Sequence, residues 1–150
     1  MTDIIREPIK AKEAWIGSEM QNTDGWVWQL TDDDIAEIGE ALSRVKRSGG
    51  MVPFKSKDFP LPNFRKKLDQ IVDSILHGTG VAFIRGLSRD EYSDQDCELL
   101  YYGLGIHMGH PVSQNARGHL ICHVTDEGRD LSDPNARGYQ TRNRQDYHCD

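Results

Sequence analysis

The sequence predicts an α+β fold. Three observations carry that expectation. Two long segments place apolar residues at helical spacing between start and stop signals. Short apolar runs read as strands, one of them bounded by glycines. The 150 residues are 37% hydrophobic and 28% charged, an ordinary composition for a single globular domain.

Residues 1–25 are polar and mixed, without a clear period, and read as an N-terminal arm of the domain spanning 1–150. Trp15, Trp26 and Trp28 are expected to dock this arm onto something apolar. Residues 31–49 predict a helix. Thr31 suits the N-cap, and Asp32, Asp33 and Asp34 suit the positive first turn. Ile35, Ile38, Leu42 and Val45 share one face, and Gly49-Gly50 stops the helix. The acidic triplet therefore reads as a helix start rather than a metal site. Pro53, Pro60 and Pro62 mark a loop. A second helix covers 63–77, with Phe64, Leu68, Ile71, Val72, Ile75 and Leu76 as its buried stripe. Gly80 to Gly86 encloses Val-Ala-Phe-Ile-Arg and reads as a buried strand. Ser93 caps a third helix over 93–104. His119 to Thr125 predicts a further strand, 126–136 a turn-rich loop, and 137–150 a strand that enters the terminal motif.

The formal net charge is -6 and the pI about 5.5, against the basic excess of a general nucleic-acid binder. No apolar run approaches the ~18 residues of a membrane span. The opening MTDIIREPIK has no apolar signal core. Cys97, Cys122 and Cys149 form no C-x-x-C pair, and there is no N-x-[ST] sequon. The expectation is an intracellular, cytoplasmic protein with neither nucleic-acid nor membrane partners.

The chain ends Tyr147-His148-Cys149-Asp150. In a strand, side chains alternate, so His148 and Asp150 point to one face and Cys149 to the other. An imidazole and a carboxylate on one face can take two adjacent positions on a metal, two-thirds of a 2-His-1-carboxylate facial triad. Alone, H-x-D fixes only two residues, and a surface histidine and aspartate at a chain terminus is the competing reading.

A wider pattern surrounds it. The stretch Gly105-Ile-His-Met-Gly-His-Pro-Val-Ser-Gln-Asn-Ala-Arg-Gly118, the later Arg137-Gly-Tyr-Gln-Thr-Arg142 and the terminal His148-Cys149-Asp150 resemble the TauD/TfdA-like (taurine dioxygenase-like) family. The order agrees over roughly residues 26–150: a G-V-A-F-I-R-G strand after a helix, a helix ending in G-x-H-x-G-H-P-V, a strand, a loop and H-x-D. The resemblance implies a double-stranded β-helix, a jelly-roll barrel of which this chain would hold the N-terminal helices and first strands. It also implies an Fe(II) enzyme that uses O2 to split 2-oxoglutarate into succinate and CO2 while oxidising a small organic molecule. His148 and Asp150 would be iron ligands. The family's second iron histidine and its 2-oxoglutarate-binding arginine would lie beyond Asp150. The chain is thus expected to be the N-terminal part of a longer enzyme, inactive alone. The alternative is a truncated, non-catalytic relative that serves as a binding module.

The remaining histidines are His77, His107, His110, His119 and His123. His119-x-x-x-His123 has zinc-helix spacing, but Leu120 stands where H-E-x-x-H needs Glu, and the run alternates like a strand. His77 suits a helix C-terminus. His110 matches the histidine of the family's H-P-V loop, which reaches the substrate; otherwise it is a loop residue bonded to nearby backbone. Gln114 and Asn115 follow on the same loop and can hydrogen-bond a substrate, although Asn also suits turns. Arg117, Arg129, Arg137, Arg142 and Arg144 gather positive charge near the motif. They favour an anionic substrate or are simply solvated. Gly103-x-Gly105-x-x-x-Gly109 lacks dinucleotide-site spacing and reads as flexible turns.

Overall fold

The structure, a computed structural model, describes residues 7–22 and 24–144. The chain divides into two compact units, Met1–Pro111 and Val112–Asp150. The described residues are α+β. They contain four helices, α1 (Gly17–Met20), α2 (Asp32–Arg47), α3 (Phe64–His77) and α4 (Asp94–Met108), and two strands, β1 (Val27–Gln29) and β2 (Phe83–Arg85). No described helix is long and apolar enough to cross a membrane.

Local chemistry explains where the helices start. Thr31 Oγ1 accepts from Asp34 N at 3.2 Å, while Thr31 N donates to Asp34 Oδ2 at 2.8 Å, a reciprocal capping box. Ser93 and Asp96 repeat the device on α4, at 3.1 and 3.3 Å. Helix α3 begins differently, because Asn63 gives no side-chain cap. Instead the Glu37 carboxylate of α2 accepts from Asn63 N at 2.9 Å and Phe64 N at 3.0 Å. One helix therefore caps another, and supplies the negative charge that a helix N-terminus favours.

Helices α2, α3 and α4 contact one another around a core of Ile38, Leu42, Val45, Phe59, Phe64, Leu68, Ile71 and Leu99. Each such side chain, once buried, contributes about 1.5–3 kcal/mol relative to exposure. The expected α2 stripe is met by Ile38, Leu42 and Val45, with Ile35 half-buried. On α3 the stripe is narrower than expected: Val72 and Ile75 are half-buried, and Leu76 is 68% exposed. Position 76 falls at the margin of the face that meets the other helices.

Helix α4 runs to Met108, past the expected end at residue 104. Of the glycines that suggested turns, Gly103 and Gly105 lie inside it and Gly109 follows its last residue. Gly103 faces the ring of Phe59, where a Cβ would come within 2.6 Å of Cδ2. It is a close-packing site rather than a flexible turn. One turn later, His107 Nε2 lies 2.7 Å from Phe59 O and its Nδ1 3.3 Å from Arg65 Nη1. A guanidinium only donates, so Nδ1 accepts and the proton sits on Nε2, donated to the carbonyl.

The sheet is small. β1 and β2 pair in parallel, with Trp28 opposite Ile84. β1 was not expected as a strand, because it is only three residues long and its period has no room to show. β2 is not buried as expected: Phe83, at 45% exposure, and Arg85 are exposed, and only Ile84 is half-buried. Trp26 stacks obliquely on Phe83 at 6.2 Å, and Trp28 packs against the core. Trp15 donates to Thr79 O at 2.8 Å just beyond α3.

Two expected strands are corrected in the second unit. Residues 119–125 form no strand among the described residues: their alternation offers two faces, but no neighbouring strand supplies ladder partners. In the described part of the strand expected over 137–150, Gly138–Gln140 is a 3-10 turn; residues 145–150 lie outside the described residues. The 126–136 segment is a loop, as expected.

Candidate functional site

The second unit is built from turns, and two amide side chains organise them. Asn115 Oδ1 accepts from Arg117 N at 3.0 Å and His119 N at 3.2 Å. Both are pure donors, which identifies the oxygen end of the amide. Its Nδ2 then donates to His119 Nδ1 at 3.0 Å and to Cys122 Sγ at 3.1 Å. Neutral His119 therefore carries its proton on Nε2.

Gln140, only 5% exposed, is the second organiser. Its Oε1 accepts from Arg137 N at 3.0 Å, and its Nε2 donates to Glu127 Oε2 at 2.8 Å. Glu127 N returns a bond to Gln140 O at 3.0 Å. A buried amide with both ends satisfied ties the far side of the unit together, since leaving either end unpaired costs about 1–3 kcal/mol.

Between these organisers lies an open cleft of about 570 Å³. Its walls carry Gln114, Asn115, Arg117, His119, Arg129 and Arg137 among others, with Glu127 as the one acidic residue among the described residues of the lining. The other acids of the loop are engaged in turns. Asp126 meets Arg142 and accepts from Gly128 N, and these two contacts lower its carboxyl below the usual range. Asp130 is lowered likewise, first by the Ser132 backbone N–H. Asp133 accepts from Asn135 N at 2.9 Å and lies 3.6 Å from Arg129 Nη2.

The residues singled out by sequence fall in three places. Gln114 and Asn115 line the cleft together. Gln114 Nε2 donates to Val112 O at 3.0 Å, while the Asn115 amide is committed to the loop. His110 follows α4 and is exposed, in the first unit. His148 and Asp150 lie outside the described residues. His119 and His123 both line the cleft, yet no group of three or more His, Cys, Asp or Glu among the described residues is arranged to hold a metal. Glu127, Tyr139 and Gln140 also shape the cleft; none was singled out as a site residue, although Tyr139 and Gln140 lie in the Arg137–Arg142 stretch that carries the resemblance. A loop has no period, so nothing marks which polar residues turn inward. The clustered arginines were the visible signal, and the structure divides them: Arg117, Arg129 and Arg137 on the cleft, Arg142 on Asp126.

No family model matches the chain. Two curated proteins are similar to it. FR-33289 synthase of Streptomyces rubellomurinus is 28% identical over 152 aligned positions, covering 100% of this chain and 45% of that protein. A taurine hydroxylase-like protein of Stachybotrys chartarum is 25% identical over 122 positions, covering 80% of this chain and 32% of that protein. The chain thus spans less than half the length of the curated relatives it matches.

Proposed function

We propose that this chain is the N-terminal part of an Fe(II)- and 2-oxoglutarate-dependent oxygenase of TauD/TfdA-like type, acting on a small organic molecule with O2. One observation carries the reading: similarity that runs the whole chain, into His148-x-Asp150, with a synthase, and over most of it with a protein named as taurine hydroxylase-like. The donor set fits the metal. A neutral imidazole and a carboxylate are the ligands of a facial triad, whose third member, a histidine, would come from the rest of the protein. When bound, Fe(II) with 2-oxoglutarate supplies the oxidising chemistry.

The chain's own residues hold and orient. His148 and Asp150 bind through one imidazole nitrogen and one carboxylate oxygen. His110 offers a hydrogen bond to the substrate, with its backbone restricted by Pro111. Gln114 extends the polar surface through its side-chain carbonyl, and Asn115 acts chiefly by fixing the loop that carries it. The jelly-roll barrel would be completed by residues outside this chain.

The test is Asp150→Ala in the full-length protein. Fe(II) affinity should fall by more than about tenfold, since even supporting residues around a metal cost that much. Succinate formation coupled to substrate should disappear. Unchanged iron affinity, measured by calorimetry, would remove Asp150 from the ligand set and with it the ground for the reading.

A further inference from the structure

We propose that the cleft of the second unit is an oxyanion-binding site, with Arg117 and Arg137 as its principal charges, and that it takes the acidic group of a small anionic substrate. The anion site stands on the geometry alone; its assignment to the substrate rests on the oxygenase reading above.

Among the described residues the cleft is lined by three arginines and a single acidic residue. That residue, Glu127, is bonded to the Gln140 amide. The nearby acids Asp126, Asp130 and Asp133 are held by Arg142 or by turn N–H groups. Arg129 shares Asp133 and the Asn135 carbonyl, at 3.6 and 3.3 Å. No described carboxylate pairs with Arg117 or Arg137. Two arginines with no counter-charge among the described residues, both lining one cavity, favour an anion there.

Their backbones are also held in advance. Arg117 N is bonded to Asn115 Oδ1 and Arg137 N to buried Gln140 Oε1. The two organising amides therefore hold the backbone of both arginines. A guanidinium presents a planar fork of donors that matches a carboxylate or a tetrahedral oxyanion in bidentate fashion. Gln114, whose Nε2 donates one hydrogen to Val112 O, keeps a second for a remaining lone pair. A cavity of about 570 Å³ admits a small molecule rather than a chain segment.

Inorganic phosphate is the probe, titrated calorimetrically into iron-free, full-length protein at constant ionic strength held with chloride. Saturable binding of one phosphate is expected. It should weaken by about tenfold or more in Arg117→Gln/Arg137→Gln, and remain unchanged in Arg47→Gln, which alters an exposed arginine of α2 in the other unit. If the double variant does not fold, Arg117→Gln alone decides, because its guanidinium holds no described partner. The absence of saturation above the chloride control, or equal affinity in these variants, would overturn the site. A second titration with 2-oxoglutarate saturating separates the two possible acids. Retained phosphate binding assigns the cleft to the substrate, and displacement would overturn that assignment in favour of the co-substrate. Neither readout uses iron or turnover, so a failure here is distinct from a failure at Asp150.

Discussion

At Gly103 a missing side chain decides the packing of a whole helix. Phe59 is fully buried, and its ring occupies the space where a Cβ at position 103 would lie, at 2.6–2.8 Å from three ring atoms. Alanine is the better helix former by about 1 kcal/mol. Overpacking a filled core costs about 1–3 kcal/mol, and the neighbour here is a ring already wedged between Phe54 and α4. Gly103→Ala should therefore destabilise the protein by up to about 2 kcal/mol net, read as a lower urea midpoint. Phe59→Leu in the same background should recover part of that loss. A stabilised Gly103→Ala variant would mean that the ring moves aside freely.

At the scale of elements, two ion pairs tie three helices. Lys67 of α3 meets Asp34 of α2, and Lys46 of α2 meets Asp96 of α4 at 2.6 Å. Burial opposes the ionisation of Asp34, but its bonds to Lys67 and to the Thr31 cap prevail and hold the carboxyl below its ordinary value. The Lys46 ammonium, then the Ser93 hydroxyl, lowers Asp96. Both groups are more acidic folded than unfolded. Their contribution is thus fully present above the unfolded carboxylate value of about 4 and is lost as pH falls through the lower folded values. Urea midpoints should decline below about pH 4. The Asp34→Asn/Asp96→Asn variant should start lower at pH 7 and decline less steeply. An identical slope in both proteins would show that these carboxylates do not drive the acid loss.

At the scale of the whole molecule, the role proposed for His110 can be tested apart from iron binding. It is exposed at the end of α4, and Pro111 limits where its imidazole can point. In the complete enzyme, His110→Ala should raise the substrate KM by roughly twofold to tenfold, the loss of one hydrogen bond worth about 0.5–1.5 kcal/mol. Fe(II) and 2-oxoglutarate affinities should stay intact. Normal substrate kinetics would make His110 a loop residue only, and lost iron would make it a ligand.

Periodic, locally encoded features were legible in the sequence. Thr31 and Ser93 caps, the faces of α2 and α3 and the short run around Phe83 all follow from neighbours within a few residues, so the chain specifies them before it folds. The terminal H-x-D and the H-P-V loop were visible as residue types and order. Features that need a distant partner were not. Residues 119–125 have the alternation of a strand, but a ladder requires a second strand beside it, and β1 became one only because β2 lies alongside. The α3 cap comes from Glu37 on another helix, and Gly103 has meaning only against Phe59. The arginines near the motif looked alike in the sequence. Tertiary structure sorted them: Asp126 meets Arg142, Asp133 meets Arg129 on the cleft lining, and the Asn115 and Gln140 bonds hold the backbones of Arg117 and Arg137.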